Sequence, residues 1–379
     1  MANDTGFEIF LGVVPGLEPA LCAELTALGF DKPRPEPGGV TIVGGWADVW
    51  RANLEVRGAS RILARFDSFR VVHLSQLDKR AHRFDWKGLL RPDMPVKVEA
   101  SCRRSKIYHA GAAAERVAKA IEAVAGTPTS DEAGLCVRVR IDDNLCTLSV
   151  DTSGELLHRR GFKAEVSKAP IRETMASLFL REAGFDGAEP VLDPMCGSGT
   201  FVIEAAEIAA GLLPGRSRNF AFELLAGFDR AAWRSLKSAR TETAAARAAA
   251  TFGAARYRGS DRDPGAVRMS RTNAERAGLA GVTDFDVVPV KELARPDGPP
   301  GLVIVNPPYG ARIGNKKALY AVYGAFGEAM RMHFSGWRVA LVTTDPALVR
   351  ATRLPFGQPG RPVDHGGLKV RLHLTGPLR

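Results

Sequence analysis

The sequence predicts an α/β fold, in which a doubly wound parallel sheet occupies the carboxyl-terminal part of the chain. Two continuous apolar runs, Val191–Leu192 and Leu302–Val305, are typical of strands that are buried on both faces. Helical segments separate these runs, which is the arrangement that right-handed crossovers between parallel strands require. The first 155 residues instead alternate short strands with helices, so we expect a smaller α+β region there.

The charge balance favours a polyanionic partner. The chain has 379 residues, which is enough for two or three domains, and it contains 52 Lys and Arg against 42 Asp and Glu. The formal net charge of +10 favours binding to nucleic acid, because cations that neutralise phosphates release condensed counterions. The sequence predicts no particular oligomeric state.

Cysteine usage and the first residues predict a cytoplasmic protein. The five cysteines are odd in number and form no C-x-x-C pair, so we expect neither a disulfide framework nor a zinc site. The amino-terminal segment carries Asp4 and Glu8 and lacks the basic and apolar regions of a signal peptide. No apolar run approaches the roughly 18 residues that a membrane-spanning helix needs. We therefore expect neither a metal nor a membrane as a partner.

The α+β region is predicted as two successive units. The first unit is expected to contain strands at Phe7–Val13, Val40–Val43 and Arg61–Phe66, and helices at Glu18–Leu28 and Ala47–Val56. The second is expected to contain strands at Val96–Ala100, Leu135–Ile141 and Cys146–Val150, and a helix at Ala112–Val124. The turn residues Asp142, Asp143 and Asn144 separate the last two strands. Further along, Thr241–Ala250 is predicted as a surface helix.

The first motif is an apolar strand that ends in an acid and a glycine turn, Val191-Leu192-Asp193-Pro194-Met195-Cys196-Gly197-Ser198-Gly199-Thr200. The glycines let the backbone approach a ligand that a Cβ would exclude, and the following helix, Phe201–Ala210, offers free N–H groups to an anion. The spacing is neither the dinucleotide pattern nor a P-loop. A ligand with a carboxylate, such as S-adenosylmethionine, fits better than a pyrophosphate, and a plain strand-to-helix turn is the alternative.

The second motif, Gly259-Ser260-Asp261-Arg262-Asp263-Pro264, comes one crossover later and leads into the helix Gly265–Ala277. An acid at the end of the second strand is where doubly wound folds bind ribose hydroxyls, because a carboxylate can accept two hydrogen bonds from the diol. Asp263 is explained as a helix N-cap before a proline. Asp261 has no such explanation and is therefore the predicted ribose ligand.

The third motif indicates the reaction, because the apolar run Leu302–Val305 leads directly into Asn306-Pro307-Pro308-Tyr309-Gly310. The Asn306 side-chain oxygen and the Pro307 carbonyl can both accept hydrogen bonds from one amino group. Two such acceptors hinder conjugation of an exocyclic amine with its ring and leave electron density on nitrogen for attack on a methyl donor. Tyr309 can stack on a flipped base. A turn without function is the alternative.

Carbon methylation by a cysteine nucleophile is disfavoured. Such a reaction needs a thiolate beside the target ring. No cysteine follows Cys196, which lies in the glycine turn.

These three motifs, in this order, resemble those of class I methyltransferases of the amino-methylating group. The resemblance extends to the THUMP-containing RNA guanine-N2 methyltransferases and covers nearly the whole chain. It is carried by Leu157–Phe162 with Ala169–Thr174 for their linker and first helix, by Gly16–Glu18, Glu24-Leu25 and Leu28–Phe30 for their ferredoxin-like unit, and by Ser105-Lys106-Ile107-Tyr108-His109 for their THUMP signature.

The resemblance implies domains at 1–68 (ferredoxin-like), 69–155 (THUMP, RNA-binding) and 156–379 (methyltransferase). It implies a role for three groups of residues. S-adenosylmethionine is expected at Asp193, Pro194, Met195, Cys196, Gly197, Gly199, Thr200, Asp261, Arg262 and Val290. The target base is expected at Asn306, Pro307, Pro308 and Tyr309. RNA phosphates are expected at Arg103, Arg104, Ser105 and Lys106.

One position departs from the family pattern. Many relatives carry an acid that accepts from the adenine amino group of the cofactor where this chain has Pro289-Val290, and Asp286 lies three residues earlier. The resemblance implies methylation of guanine N2 in structured RNA, 23S ribosomal RNA rather than tRNA. The alternatives are a tRNA guanine-N2 enzyme, an adenine-N6 methyltransferase of RNA or DNA, and a non-catalytic RNA-binding assembly factor.

Overall fold

The computed structural model describes residues 6–163, 171–251, 257–309 and 316–379. Ala169, Pro170 and Gly310 of the predicted motifs lie outside these ranges. The chain divides into two compact units. Unit 1 comprises the residues up to Val13, Cys22–Leu157 and Arg218–Ala239, and unit 2 comprises Val14–Leu21, His158–Ser217 and Arg240–Arg379.

A single mixed sheet forms the centre of unit 1. Within the described residues its strands are β1 (Phe7–Gly12), β2 (Arg34–Glu36), β3 (Gly39–Gly44), β4 (Arg61–Arg70), β5 (Val96–Arg103), β6 (Leu135–Asp142) and β7 (Leu145–Asp151). Their spatial order is β2-β3-β1-β4-β7-β6-β5, with β5 and β6 parallel and the other pairs antiparallel. β4 extends four residues beyond its predicted end and pairs with both β1 and β7. The two predicted α+β units therefore share one sheet.

The helices in the first 157 residues agree with the predicted ones where apolar residues recur at helical spacing. They are α1 (Glu18–Ala27), α2 (Trp46–Glu55), α3 (Leu74–Arg83), α4 (Trp86–Leu89) and α5 (Ala110–Ala125). α3 and α4 were not predicted, because α3 buries only Leu77 and Ala81 and α4 is a single turn. Gly126 adopts a left-handed φ of 69° and ends α5.

Residues 218–239 pack in unit 1, although the sequence places them inside the range expected for the methyltransferase domain. Their aromatic side chains surround Trp50 of α2, with ring centroids 6.1 Å away for Phe222, 5.9 Å for Phe228 and 6.3 Å for Trp233. These long-range apolar contacts account for the position of the segment. The boundaries 1–68, 69–155 and 156–379 stay a prediction.

Unit 2 contains the predicted doubly wound sheet. Its strands in the described ranges are β8 (Val191–Asp193), β9 (Tyr257–Asp261), β10 (Thr283–Val287), β11 (Leu302–Val305), β12 (Arg338–Thr343), β13 (Val363–His365) and β14 (Leu368–Leu374). The order is β10-β9-β8-β11-β12-β14-β13, in which β8 to β12 are parallel. The hairpin β13–β14, which pairs antiparallel with β12, was not predicted.

In the described part of unit 2, helices follow β8, β9, β11 and β12, and a further helix precedes β8. They are α6 (Glu173–Glu182), α7 (Thr200–Ala209), α8 (Arg230–Thr251, which begins in unit 1), α9 (Pro264–Arg276), α10 (Lys316–His333) and α11 (Pro346–Ala351). The predicted helix Thr241–Ala250 lies within α8. α10 buries Tyr323, Phe326 and Met330 against the apolar strand β11, and Trp337 closes the same core.

Two buried ion pairs attach flanking segments of unit 2 to α7. Arg160 pairs with Glu204 at 3.3 Å, and both side chains are only 1% exposed. Arg216 pairs with the fully buried Glu207 at 2.5 Å. A buried charge is tolerated only when it has a partner, so these pairs fix the segments before α6 and after α7.

We expect Arg160→Ala to lower the free energy of unfolding by about 3–5 kcal/mol, because it removes the guanidinium that pairs with the buried Glu204 carboxylate. Chemical denaturation followed by circular dichroism measures this loss. Lys369→Ala is the matched control, since Lys369 pairs with Asp364 at 2.7 Å on the surface of the same unit and its removal should change little. Equal effects of the two substitutions would contradict the importance of burial.

Candidate functional site

The three motifs meet at the carboxyl edge of the parallel sheet. β8 lies between β9 and β11, with Asp193 opposite Gly259 and Val191 opposite Leu302. The strand order reverses between β8 and β11, and a doubly wound sheet forms its ligand crevice at such a point. The structure therefore places Asp193, Asp261 and Asn306 along one edge of the sheet.

Asp261 ties the glycine turn to the end of β9. Its Oδ2 accepts a hydrogen bond from the Gly197 backbone N–H at 3.1 Å, and its Oδ1 accepts from Asp263 N–H at 3.0 Å. Each oxygen keeps a second lone pair for a ligand. Asp263 itself caps α9 by accepting from Gly265 N–H at 2.8 Å, as the sequence predicted. The neighbouring Arg262 is exposed.

Packing and backbone conformation both require glycine at position 199, and its expected contact with the cofactor stays a prediction. Its φ of 80° lies in the left-handed region, and so does the φ of 55° at Gly197. A Cβ at position 199 would lie 3.1 Å from the Ser270 Oγ and 3.2 Å from the Phe285 ring. The space beside Gly199 is thus filled by protein, so a close approach of α9 is the structural reason for this glycine.

Two polar side chains of α9 hold the glycine turn, and the sequence analysis did not find them. Ser270 Oγ donates to the Gly197 carbonyl at 2.9 Å, and Asn273 Nδ2 donates to the Ser198 carbonyl at 3.2 Å. Both side chains are buried. Their spacing of three residues on the buried face of an amphipathic helix is the signal that could have revealed them.

The turn itself carries two buried titratable groups. Asp193 accepts from the Met195 N–H at 3.1 Å, and burial, with a smaller contribution from Asp261, raises its pKa to about 8. Cys196 donates its N–H to the Ser260 carbonyl at 2.9 Å, and burial raises the pKa of its thiol well above the ordinary value. Pro194 between them is also buried.

A buried lysine contacts the first residue of α7 and was likewise missed. Lys163 Nζ donates to the Thr200 hydroxyl at 2.8 Å and pairs with Glu173 at 3.1 Å. The Lys163 and Glu173 side chains are 7% and 8% exposed. Because the hydroxyl oxygen accepts from Lys163, the Thr200 proton is free to point elsewhere. The position of Lys163 directly after the matched Leu157–Phe162 stretch is the signal in the sequence.

Asn306 follows β11 and presents a buried acceptor. Its Oδ1 has no hydrogen-bond donor among the described residues. Pro307 is buried and Pro308 is exposed. Tyr309 is partly buried and packs against the apolar core below β11, as do Met195 and Val290. The partly buried Tyr309 therefore follows three residues after the unpartnered amide oxygen.

Pro289 and Val290, where the resemblance implies an acid, come shortly after β10. Pro289 precedes a short 3-10 helix, Val290–Glu292, and the Val288 N–H donates to the Asp261 carbonyl at 3.1 Å. Asp286 is mostly exposed and lies 3.7 Å from Arg271.

The predicted phosphate-binding residues lie together in unit 1, at the end of β5. Arg103 and Lys106 are exposed, and Arg104 pairs with Asp142 at 2.8 Å. The Ser105 hydroxyl is used within the loop, where it donates to the Arg103 carbonyl at 2.6 Å and accepts from the Asn144 N–H.

Among the residues that the structure describes, no helix is both long enough and apolar enough to cross a membrane. In the same ranges, no group of three or more His, Cys, Asp or Glu side chains is arranged to hold a metal ion.

Two family models match the chain. Residues 160–359 match the family described as RMKL-like, methyltransferase domain, and residues 8–63 match the RlmL ferredoxin-like domain. The chain is 34% identical over 97% of its length to ribosomal RNA large subunit methyltransferase K/L of Methylococcus capsulatus, of which it spans 51%. It is 30% identical over 96% of its length to slr0064 of Synechocystis, named as a candidate RNA methyltransferase, of which it spans 95%.

A solved structure agrees with these matches. SMU.472, named as a candidate methyltransferase, was crystallised with S-adenosylhomocysteine (SAH). It has a TM-score of 0.85 and 26% sequence identity, and the match covers all of both chains. The predicted α/β methyltransferase fold and the use of S-adenosylmethionine are confirmed for the family. No comparison shows the THUMP domain directly, so that domain stays a prediction. The chain belongs to the RMKL-like methyltransferase family.

Proposed function

We propose that this protein transfers a methyl group from S-adenosylmethionine to the exocyclic N2 of a guanine in structured RNA, with 23S ribosomal RNA rather than tRNA as the substrate. The observation that carries the proposal is the buried Asn306 Oδ1, which has no donor among the described residues. Buried polar atoms normally have a partner, and an incoming amino group supplies one here. The name of the Methylococcus relative supports ribosomal RNA as the substrate, although the chain spans only about half of that protein.

Different residues of the loop after β11 contact the amino group and the ring of the target base. Asn306 Oδ1 and the Pro307 carbonyl accept the two hydrogens of the amino group, which turns its nitrogen lone pair towards the crevice. Tyr309 supplies an apolar face for the base, because it is only partly buried against the core. A buried Cys196 with a raised pKa is poorly suited to act as a nucleophile, so nitrogen methylation is favoured over a cysteine adduct at carbon.

The residues at the strand ends fit the cofactor. The Asp261 carboxylate has lone pairs left for a ribose diol, and the start of α7 with the Thr200 hydroxyl offers donors to a carboxylate. The Asp193 carboxylate is destabilised by burial, so a positively charged group nearby would favour its ionised form. When bound, the cofactor supplies an activated methyl group on a sulfonium.

Adenine N6 remains the second candidate target, since the same two acceptors suit either amine. A non-catalytic assembly factor is the candidate of another class, because the acid expected at Pro289-Val290 is missing. Calorimetry with SAH separates the latter from an enzyme, since an assembly factor need not bind the cofactor.

We expect labelled methyl groups to appear in N2-methylguanosine when 23S ribosomal RNA lacking the modification is incubated with the protein and labelled S-adenosylmethionine and is then digested.

Asn306→Ala should lower the transfer rate by roughly 100- to 1,000-fold, because it removes an acceptor used in the transition state. SAH affinity, measured by calorimetry, should stay nearly unchanged. Asn306→Asp keeps an acceptor oxygen and should retain more activity. Label in N6-methyladenosine, or full turnover of Asn306→Ala, would refute the proposal.

We expect Lys163→Met to weaken SAH binding by about tenfold, because the Thr200 hydroxyl, proposed as a donor to the carboxylate of the cofactor, loses the charge-assisted hydrogen bond that orients it. The substitution also leaves Glu173 buried without its partner, so the protein should unfold at a lower temperature. The double variant Lys163→Met/Glu173→Gln removes both charges and should regain stability but not affinity. If affinity returns together with stability, Lys163 acts only on the fold.

We expect the stability gained by Asp193→Asn to grow as the pH rises from 5 to 8.5 in the absence of cofactor. Burial raises the pKa of Asp193 from 3.8 to about 8, so the folded protein holds a proton that the unfolded chain has released. Ionisation therefore destabilises the parent progressively between these pH values, while the Asn variant does not titrate. Thermal unfolding of both proteins across this range tests the sign. A difference that is constant or shrinks with pH would contradict it.

A further inference from the structure

Two exposed aromatic rings, tilted against each other, follow the predicted phosphate-binding residues of unit 1. Tyr108 is 74% exposed, the largest value among the exposed large hydrophobic residues that the structure describes. Its ring rests on that of His109, with centroids 4.3 Å apart and planes inclined by 41°. Single exposed apolar residues are common on protein surfaces, so exposure alone does not indicate a binding site. The hydrogen bonds of the loop and the charges around the pair therefore matter as well as its exposure.

The loop that carries the pair is held in place by hydrogen bonds with Asn144. The Lys106 N–H donates to the Asn144 side-chain oxygen at 2.8 Å, and the Asn144 N–H donates to the Ser105 hydroxyl at 3.0 Å. Ile107, immediately before Tyr108, is buried in unit 1. Ordering a surface loop on binding costs free energy, so a loop that is already fixed can bind a partner with a smaller penalty.

The charge around the pair favours a polyanion. Asp142 lies among cations and pairs with Arg104 at 2.8 Å and with Arg140 at 2.6 Å. Arg103 and Lys106 are exposed nearby on the same loop and strand end. Exposed cations around an exposed aromatic surface suit one class of partner, an unpaired nucleotide with its flanking phosphates. Bases inside a duplex cannot reach such a ring, because they are already stacked on each other.

We propose that the Tyr108–His109 pair is a stacking platform for an unpaired base of the RNA substrate, with Arg104 and Lys106 contacting the adjacent phosphates. The inference rests on the proposed function only in taking RNA as the substrate. It requires neither the choice of guanine N2 nor the assignment of the loop after Asn306.

The test measures RNA affinity of the full chain by fluorescence anisotropy. The probes are a labelled single strand of about 12 nucleotides of mixed sequence and the same strand annealed to its complement. Tyr108→Ala should weaken single-strand binding roughly 5- to 150-fold, which corresponds to the usual value of one base–aromatic stack. Tyr108→Phe keeps the ring and should bind like the parent. Neither substitution should change binding of the duplex.

Salt dependence separates stacking from charge. Lys106→Gln should reduce the slope of log affinity against log salt by about 1, whereas Tyr108→Ala should leave the slope unchanged. Val43→Ala is the matched control, because Val43 is also exposed and lies on β3, which is separated from β5 by four strands of the same sheet. This control should bind both probes like the parent.

Two results would overturn the inference. One is unchanged single-strand binding by Tyr108→Ala, and the other is an equal loss for the single strand and the duplex. If Tyr108→Ala binds RNA normally but loses affinity for a ribosomal precursor particle, the surface contacts a protein instead. Methyl transfer is scored separately: the inference predicts a raised KM for RNA with kcat retained. If Tyr108→Ala binds the single strand more weakly than the parent, but the parent methylates no guanine, only the proposed function is refuted.

Discussion

The position of β8 between β9 and β11 is the constraint on which the candidate site depends. β8 has only three residues, yet its two parallel neighbours fix its register, and that register brings Asp193, Asp261 and Asn306 to one edge. The turn after β8 is then locked to β9 by the Cys196 N–H on the Ser260 carbonyl and by the Gly197 N–H on Asp261. Because side chains alternate along a strand, a slip of one residue would turn these groups away from the crevice.

Most polar groups along this edge have hydrogen-bond partners. The Asn306 Oδ1 has no donor among the described residues. Ser270 and Asn273 satisfy carbonyls of the turn, and Lys163 donates to Thr200. Asn306 Oδ1 is not unique among the described residues, since Ser260 Oγ and Trp337 Nε1 are also buried without partners. What distinguishes the Asn306 oxygen is its place directly after β11, in the loop that is proposed to bind the target base.

Features set by neighbouring residues could be predicted from the sequence, and features set by distant contacts could not. The cap at Asp263, the apolar strand β11 and the acid at the end of β9 depend on a few adjacent residues. The attachment of residues 218–239 to Trp50 and the use of Ser270 by the glycine turn depend on contacts between segments far apart in the chain. The antiparallel hairpin β13–β14 escaped for a different reason, because its strand β13 has three residues and no clear alternation.

The chemistry of the loop after β11 leaves the choice of nucleotide to other surfaces. In the proposed function two acceptors contact an amino group and Tyr309 contacts a ring, but guanine, adenine and cytosine all carry both features. Exposed cations add affinity without sequence information, and stacking on an aromatic side chain tolerates any base. Each contact alone is therefore unselective. Selection of one nucleotide therefore needs features of the RNA that these contacts do not read, such as which bases its fold leaves unpaired.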